Sequence, residues 1–309
     1  MKKIQAVYKP QGWTPLQSIN KFREKFPEYK NEKIGFAGRL DPLAHGVLLL
    51  MIGEETTKQK DTFLNLSKEY TFEVLFGAAT DTYDALGLLE KQFVLGHPGD
   101  ATTSIGYQKI LSLRSRMTKQ INQFIKAKLG KQKQTYPPFS SKTVNGKPLY
   151  WWTRTNKLSE IKIPERAIEI YDFKLLGINE LSPAKLKKEI LKQITSVNGD
   201  FRQKEIKEKW KLFFKINSKT NFMTAQCNIS CSSGTYIRSL THELGKQLKS
   251  GAITLDILRT KVGEYDLLKK GKDSVLQLID ETEIADSVYN SNVIENSTLT
   301  LRETEISSF

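Results

Sequence analysis

The spacing of apolar residues predicts strands and helices that alternate irregularly along the chain. Residues 3–8 fit a short strand, and residues 47–52 form an uninterrupted apolar run that fits a buried strand. Residues 70–76 and 225–231 alternate with the two-residue period of a strand. Helical spacing is found in residues 15–26, 54–66, 117–129 and 237–248. This order does not consist of the regular strand-helix units that build a parallel sheet. We therefore expect an α+β fold, with a mixed, largely antiparallel central sheet flanked by helices.

One helix start is signalled by a complete set of capping residues. Thr14 stands in the N-cap position, Pro15 in the first helical position, and Gln17 completes a capping box. The buried face of this helix is predicted to carry Leu16, Ile19, Phe22 and Phe26. Further along the chain, an apolar helical stripe ends at Leu129, and Gly130 provides the stop signal.

The charge balance points to a polyanionic partner. The 309 residues contain 48 Lys and Arg against 34 Asp and Glu, a net charge of +14. Residues 182–220 hold 11 basic and 4 acidic side chains, and residues 114–133 hold 7 basic and none acidic. Residues 280–309 are acidic instead, with seven acidic side chains against Arg302 alone. Alternatively, either basic segment is simply a solvated helix face, because Lys-rich stretches often face water without binding a partner.

Composition also narrows the class of protein. An apolar fraction of 39% with 27% charged residues is typical of a globular chain. The apolar runs are all shorter than the roughly 20 residues of a membrane span, and the first residues do not form a secretory signal. Cys227 and Cys231 lack a second pair of metal ligands, so we interpret them as buried thiols on one strand face. We therefore expect a cytoplasmic protein.

The segment 35–46 combines a reactive side chain with loop-forming residues. It reads Gly-Phe-Ala-Gly-Arg-Leu-Asp-Pro-Leu-Ala-His-Gly, and its Asp41 precedes a proline. The residue before proline is disfavoured in helices, so the carboxylate is presented from an extended or turn conformation. An Asp-Pro pair alone is usually no more than a turn. The motifs on either side of Asp41-Pro42 indicate a more specific role for this pair.

These motifs resemble those of the pseudouridine synthases, and most closely those of the TruB type, which acts on uridine 55 of tRNA. Residues 38–46 match the signature Gly-x-Leu-Asp-Pro-x-Ala-x-Gly around the catalytic aspartate of that family. Further blocks follow in the family order: Lys9-Pro10-x-Gly12-x-Thr14, Lys68-Glu69-Tyr70, Gly77-x-x-Thr80-Asp81-Thr82-x-Asp84-x-x-Gly87, Gln134 with Pro137-Pro138, Lys142-Thr143-Val144-Asn145-Gly146, Cys231-Ser232-x-Gly234-Thr235-Tyr236-Ile237-Arg238, and Leu258-Arg259-Thr260 with Gly263. Together they span roughly residues 6–265.

The resemblance implies a reaction and residues to perform it. Family members cleave the glycosidic bond of a uridine, rotate the base and rejoin it through carbon 5, without a cofactor or a metal. Asp41 matches the essential aspartate, which attacks the sugar or the base or supports elimination to a glycal. Tyr70 matches the tyrosine that packs on the target base, Arg238 the arginine that pairs with the aspartate, and Leu258 the apolar residue that closes over the base. Lys9, Arg39 and Arg259 lie in the same motifs and are predicted substrate contacts. The alternative is that Tyr70 belongs to the core and Arg238 to the surface.

The resemblance also predicts how RNA is bound. Family members recognise the T arm of tRNA mainly by its shape and backbone, and they flip the target base out of its stack. The basic segment 114–133, predicted to be helical, and the aromatic and proline residues after it occupy the family position of a segment that clamps the RNA, near residues 110–150. Candidate contacts there are Lys126, Lys128, Lys131, Lys133 and Tyr136. We expect the protein to act as a monomer, bound neither to a membrane nor to a metal.

Two residues depart from the family pattern. Phe36 stands where relatives commonly have a histidine that contacts the flipped loop. Tyr8 replaces the usual aspartate before the Lys-Pro pair. The resemblance therefore extends to the catalytic aspartate but not to the residues at these two positions.

The domain organisation is predicted from the extent of the motifs. Residues 1–265 are expected to form the catalytic domain, and residues 266–309 an acidic extension that is too short for the RNA-binding PUA module of many bacterial relatives. The Lys-rich segment 182–220, predicted as two short helices joined by the turn 198–200, looks like an insertion. We expect it to supply part of the RNA contact, and its removal to weaken binding without unfolding the protein.

Two other functions compete with this prediction. The same chemistry is possible on another RNA, such as ribosomal RNA. An RNA-binding or tRNA-folding protein without turnover is the second alternative. The joint presence of Asp41, Tyr70 and Arg238 argues against a pure binder, because binding alone does not need all three.

Overall fold

The computed structural model describes residues 3–92, 104–269 and 275–278. The strands found there are β1 (Ile4–Lys9), β2 (Ile34–Ala37), β3 (Ala44–Ile52), β4 (Lys68–Phe76), β5 (Ala78–Thr80), β6 (Leu89–Gln92), β7 (Gly130–Thr135), β8 (Thr143–Val144), β9 (Lys147–Pro148), β10 (Glu165–Leu181), β11 (Phe222–Cys231), β12 (Ala252–Val262) and β13 (Tyr265–Asp266). The helices are α1 (Pro15–Lys25), α2 (Glu54–Lys58), α3 (Lys60–Leu64), α4 (Ser104–Lys128), α5 (Leu149–Arg154), α6 (Pro183–Ser196), α7 (Gln203–Ile216) and α8 (Ile237–Gln247). The acidic segment 280–309 lies outside the described residues.

The chain divides into two compact units. The first consists of Met1–Leu64 and Arg259–Phe309, and the second of Asn65–Leu258. Strand β12 crosses this boundary in sequence, since residues 252–258 belong to the second unit and residues 259–262 to the first. Each unit combines antiparallel strand pairs with helices, which confirms the predicted α+β class.

Strand pairing in the first unit is centred on a wholly buried strand. Strand β3 pairs antiparallel with β1, in a register that runs from Ile4 opposite Met51 to Lys9 opposite Gly46, and it also pairs antiparallel with β2. All nine residues of β3 are buried. The predicted apolar strand 47–52 is therefore confirmed, and it begins three residues earlier than predicted.

Helix α1 begins where the capping residues predict. The Thr14 hydroxyl accepts the backbone N–H of Gln17, and the Gln17 side-chain oxygen accepts the backbone N–H of Thr14. Ile19 and Phe22 are buried as predicted. Leu16, however, is 61% exposed. The prediction for Leu16 was wrong because it lies in the first turn, at the edge of the stripe that packs on the sheet.

Four strands of the second unit lie side by side in a sheet. They follow the order β4, β11, β10, β7, and each neighbouring pair is antiparallel. Helices α4 and α8 pack on strands of this sheet. Cys227 lies opposite Phe72 in the pairing of β11 with β4, and both it and Cys231 are buried free thiols, as predicted. Burial raises the pKa of Cys227 to about 12.

Two predicted helices have different limits in the structure. Residues 54–66 form the two short helices α2 and α3 instead of one. The helix predicted from 117 starts at Ser104 and ends at Lys128, and Leu129 is 47% exposed. Gly130 follows with a φ of 85°, the left-handed conformation that ends helices. None of the helices within the described ranges is both long and apolar enough to cross a membrane.

The Lys-rich segment 182–220 folds into two helices, α6 and α7, which we call the Lys-rich hairpin. The predicted turn 198–200 joins them, and the helices pack on each other. Ser182 caps α6 by accepting the backbone N–H of Lys185. The apolar side of the hairpin is buried, and Trp210 is completely inaccessible to solvent. Because this side is part of the core, removal of the whole hairpin would expose apolar surface and destabilise the unit, contrary to our expectation from the sequence.

Candidate functional site

Asp41 begins a tight turn that leads directly into the buried strand β3. The backbone N–H of Ala44 donates to the Asp41 carbonyl oxygen at 3.0 Å, and Pro42 fills the second position of the turn, where its fixed φ is favourable. The side chains of Leu40 and Leu43 are buried on either side of it. Asp41 itself is only partly buried. Asp41 thus lies, partly exposed, on a loop whose ends are anchored in the core.

Lys9 connects this turn to the loop after β1. Its side chain is fully buried, and Nζ donates to the carbonyl oxygens of Trp13 at 2.6 Å, Pro10 at 3.0 Å and Pro42 at 3.4 Å. The backbone N–H of Gly12 also donates to the Pro42 carbonyl, at 2.8 Å. The two loops are therefore held together through the residue that follows Asp41.

The charge state of Lys9 depends on its surroundings. Burial lowers the pKa of Lys9 to about 7, and the neighbouring Arg259 guanidinium acts in the same direction. The Asp41 carboxylate opposes both effects by favouring the charged amine. Asp41, Lys9 and Arg259 therefore form one electrostatically connected cluster inside the first unit.

Arg259 supports the other side of the loop. It is 1% exposed, and its guanidinium donates to the carbonyl oxygens of Val47 at 2.7 Å and Gly38 at 3.0 Å. At Gly46 the φ is 106°, and a Cβ there would lie 2.2 Å from the Arg259 carbonyl oxygen. The last glycine of the motif is therefore required by the close approach of the Arg259 backbone.

The two departures from the family pattern have structural partners of their own. Tyr8 is buried, and its hydroxyl forms a hydrogen bond of 2.7 Å with Nδ1 of His45, which is also buried. Arg39 is exposed, and its guanidinium lies 6.0 Å from the centre of the Phe36 ring, at the limit of a cation–π contact. Tyr8 and His45 thus form a buried polar pair one residue away from Lys9.

In the second unit, Arg238 is a buried cation with an acidic partner. It is 3% exposed, and its Nε lies 3.7 Å from the carboxylate of Asp84. The guanidinium also donates to the carbonyl oxygens of Thr82 and Phe139. The alternative that Arg238 lies on the surface is therefore wrong. The sequence did not single out Asp84, although it lies in the quoted motif 77–87.

The motif 77–87 folds into a compact loop around Asp84. The Asp84 carboxylate accepts the Thr82 hydroxyl at 2.6 Å and the backbone N–H of Leu86 at 2.9 Å. A Cβ on Gly87 would lie 2.3 Å from the Thr82 hydroxyl oxygen, so this motif position also needs a glycine. The acidic and hydroxyl residues of the motif therefore orient the partner of Arg238.

Tyr70 and Leu258 lie on strands of the second unit. Tyr70 lies opposite Ile229 in the pairing of β4 with β11, and its side chain is 9% exposed. Leu258 is 1% exposed on β12. Strand pairing and burial account for both positions, and their contact with a target base remains a prediction.

The predicted clamp residues separate into two groups. Lys126 is exposed on α4, and Lys131 and Lys133 are exposed on β7, not on a helix as predicted, because Gly130 ends the helix. Lys128 forms an ion pair with Glu243, and its Nζ lies 5.4 Å from the centre of the Phe124 ring. The Tyr136 ring is half-buried against Tyr236, with the ring centres 5.6 Å apart. The three exposed lysines are thus the better phosphate-contact candidates.

The structure offers little to a metal. No group of three or more His, Cys, Asp or Glu side chains suited to an ion occurs in the part of the chain that the structure describes. His242 stacks on Tyr83, with ring centres 3.8 Å apart, and burial lowers the pKa of His242 to about 4. This histidine is therefore a neutral packing residue. His97 lies outside the described residues.

The sequence motifs predicted the loop of Asp41 as the candidate site, but not the contacts that hold this loop. Lys9 and Arg259 were predicted as substrate contacts, and the bonds seen here go to protein carbonyl groups instead. This makes them positioning residues for the loop that carries Asp41. A direct contact of either cation with substrate remains a prediction.

Comparison with known proteins agrees with the sequence motifs. The family model described as TruB family pseudouridylate synthase (N terminal domain) matches residues 25–193, which is more than half of the chain. Among solved structures, a chain of a Cbf5-Nop10-Gar1 complex is similar with a TM-score of 0.46 and 18% identity, over 89% of this chain and 52% of that one.

Relatives with the name tRNA pseudouridine synthase B are similar over most of the length. The protein of Ligilactobacillus salivarius is 27% identical over 290 residues, which cover 94% of this chain and 77% of that protein. The protein of Lactobacillus gasseri is 30% identical, over 85% of this chain and 69% of its own length. The corresponding protein of Flavobacterium johnsoniae is 29% identical, over 85% and 90%.

Proposed function

Because this chain belongs to the TruB family of pseudouridylate synthases, we propose that it converts uridine to pseudouridine in tRNA. The substrate follows from the relatives, which are named as tRNA pseudouridine synthases. The observation that carries the proposal is the loop of Asp41, a partly exposed aspartate on a turn that the buried side chains of Lys9 and Arg259 hold in place. A loop fixed in this way can present one carboxylate to a reacting nucleotide without a loss of orientation.

The reaction requires one bond to break and another to form at the same sugar carbon. The bond from C1′ to N1 of the base is cleaved, the base rotates, and C1′ bonds to C5. The proton on C5 then leaves and N1 gains one, so the reaction has no net redox change. Asp41 is the group proposed to assist cleavage, either as a nucleophile on the sugar or base or by supporting elimination to a glycal.

The other two residues are assigned supporting roles. Tyr70 is proposed to pack on the target base and to take part in the final proton removal. Arg238 is proposed to pair with the catalytic carboxylate, as the resemblance implies. Within its own unit, its guanidinium is held by Asp84 and by the Thr82 and Phe139 carbonyls. Leu258 is proposed to close over the base. Residues 1–265 would form the catalytic domain.

The finer substrate assignment extends the proposal. We place the reacting uridine in the T loop, at position 55, because the motif pattern resembles the enzymes that act there. Lys126, Lys131 and Lys133 supply exposed positive charge for the T-arm backbone. The protein is proposed to act as a monomer in the cytoplasm, where its tRNA substrate is found.

The decisive experiment compares the wild type with Asp41→Ala on unmodified tRNA. Chemical labelling of pseudouridine should detect product at position 55 with the wild type and none with Asp41→Ala. The matched control is Asp61→Ala, an exposed aspartate on α3, which should retain full activity. tRNA binding by Asp41→Ala should stay within about two-fold of the wild type, because the backbone contacts remain.

Each other outcome of this experiment has a defined meaning. Product at another position, or only on ribosomal RNA, would refute the substrate assignment. Product formation by Asp41→Ala would refute the role of the aspartate. Tight tRNA binding without any product from the wild type would identify a binding or folding protein instead of an enzyme.

A further inference from the structure

The Lys-rich hairpin has an apolar inner side that fixes it to the second unit. Leu186, Ile190 and Ile194 of α6 and Ile206, Trp210, Phe213 and Phe214 of α7 are all buried. The Trp210 indole N–H donates to the Ala85 carbonyl at 3.1 Å, and the Gln193 amide donates to the Leu255 carbonyl at 3.1 Å. These contacts attach both helices of the hairpin to the rest of the unit.

The turn of the hairpin is attached to the predicted clamp. The Arg202 guanidinium donates to both carboxylate oxygens of Asp81, at 2.8 and 3.3 Å, and lies 4.7 Å from the centre of the Phe139 ring. Asp200 lies 3.8 Å from Arg154 of α5. The hairpin is therefore continuous, within one unit, with the segment 110–150 that is proposed to hold RNA.

The outer side of the hairpin carries a surplus of positive charge. Its 11 basic residues exceed its 4 acidic residues by seven, and lysines exposed on it include Lys188, Lys204, Lys211 and Lys215. Of the acids, Glu189 is largely buried on the inner side, and Glu208 is bonded to Lys211. Asp200 and Glu205 are exposed as well, so the hairpin surface carries three acids, Glu208 included, against a larger number of exposed lysines.

The arrangement of the lysines suits a phosphate backbone. Lys204, Lys211 and Lys215 lie opposite the buried stripe of α7 and extend over about 16 Å of helix, enough to span several phosphates of one strand. The aromatic side chains of α7, Trp210, Phe213 and Phe214, are all buried and cannot stack on bases. The surface would therefore contact the backbone and not read bases.

We infer that the outer face of the Lys-rich hairpin binds the phosphate backbone of the substrate RNA, as a contact separate from the site of reaction. The identity of the polyanion rests on the proposed function, which makes tRNA the substrate. Leu212 and Ile216 are 55% and 60% exposed beside these lysines. A helix face that is both apolar and basic could instead bind a membrane surface, so the experiment also measures binding to lipid vesicles.

The test replaces exposed charges without disturbing the apolar inner side. A triple variant, Lys188→Gln, Lys204→Gln and Lys215→Gln, is compared with a control of equal charge change, Lys30→Gln, Lys33→Gln and Lys60→Gln, whose lysines are exposed in the first unit. Binding to unmodified full-length tRNA is measured by fluorescence anisotropy at several salt concentrations. Binding to phosphatidylserine-containing vesicles is measured by sedimentation.

The hairpin variant should bind tRNA about ten-fold more weakly, and the slope of log Kd against log salt should fall by about 2 to 3. The control variant should stay within about two-fold of the wild type, and both variants should melt within about 2 °C of it. At saturating tRNA, the hairpin variant should have the wild-type kcat. Equal tRNA affinities and salt slopes for the two variants would overturn the inference. It would also be overturned if the hairpin variant lost binding to vesicles but kept its affinity for tRNA.

The outcome is independent of catalysis. Binding is measured without turnover, so a wild-type protein that forms no pseudouridine would refute the proposed function while leaving the hairpin comparison interpretable. A hairpin variant with normal binding and a normal product yield would refute the inference while leaving the proposed function intact.

Discussion

The first unit and the Lys-rich hairpin use positive charge in opposite ways. Around Asp41, Lys9 and Arg259 are almost completely buried, and they donate hydrogen bonds to backbone carbonyls of the neighbouring loops. On the hairpin, lysines such as Lys204 and Lys215 are exposed on a helix face whose other side is apolar. The buried cations serve the fold of a loop, whereas the exposed ones are available to an external anion.

The difference shows that the number of basic residues alone does not identify an RNA-binding surface. A buried cation loses its hydration and must replace it with protein acceptors, which is why burial lowers the pKa of Lys9 to about 7. An exposed lysine keeps its hydration and loses little when it approaches a phosphate. Substitution of a buried cation should therefore change stability, and substitution of an exposed one should change only binding.

The largest effect is expected from Arg259→Met. The substitution would leave the buried carbonyls of Gly38 and Val47 without their donors. We expect a loss of about 2 to 4 kcal/mol in the free energy of unfolding, together with a strong loss of activity because the loop of Asp41 is no longer held. Urea denaturation measures the first effect, and a pseudouridine assay measures the second.

The matched control for Arg259→Met is Lys215→Met on the hairpin. This residue is exposed, so the same kind of substitution should change stability by less than about 0.5 kcal/mol. A similar loss of stability in both variants would show that the contrast between buried and exposed cations is wrong.

Local signals predicted the parts of the fold that depend on neighbouring residues. The capping box of Thr14 and Gln17 and the alternation around Cys227 were both confirmed. The long strand β10 was not predicted. Its pairing with β11 shifts register between Ile170 and Asp172 and again between Leu175 and Gly177. Such irregularities interrupt the two-residue period on which strand prediction depends.

The candidate site was predictable only as far as the motifs reach. The motifs indicated Asp41 and Arg238, but the partners Arg259 and Asp84 contribute through contacts between residues that are far apart in sequence. No local pattern encodes a bond between residues 259 and 38. Likewise, the sequence could not distinguish buried Lys9 from an exposed lysine, because burial is decided by tertiary packing.

A smaller effect is expected from Arg202→Ala, which concerns the one arginine of the hairpin. Arg202 is partly buried, pairs with Asp81 and packs on the Phe139 ring. We expect a loss of about 2 kcal/mol in the free energy of unfolding and faster hydrogen exchange in the turn 198–202. Lys204→Ala, two residues away and exposed, should cause neither change. If both variants behave alike, the anchoring role of Arg202 is refuted.

The smallest effect is expected from Glu189→Gln, which concerns an acid beneath the basic surface. Burial raises the pKa of Glu189 to about 7, and the carboxylates of Glu73 and Asp256, from β4 and β12, act in the same direction. Lys185 and Lys192 of the same helix oppose this shift. The folded protein therefore holds a proton on Glu189, between pH 4.5 and 7, that the unfolded chain releases, and this contribution to stability is lost as the pH rises.

Glutamine cannot ionise, so Glu189→Gln should be more stable than the wild type at pH 8, and the advantage should disappear below pH 4.5. The full pKa shift corresponds to about 3 kcal/mol, and the partial exposure of Glu189 to water reduces the expected difference to about 1 kcal/mol. Urea denaturation across this range measures the difference. Glu205→Gln, on the exposed side of α7, is the control and should not change the pH dependence. An advantage of Glu189→Gln that is equal at pH 4.5 and pH 8 would mean that its cause is packing and not ionisation. In that case, ionisation of Glu189 would not lower the stability of the hairpin.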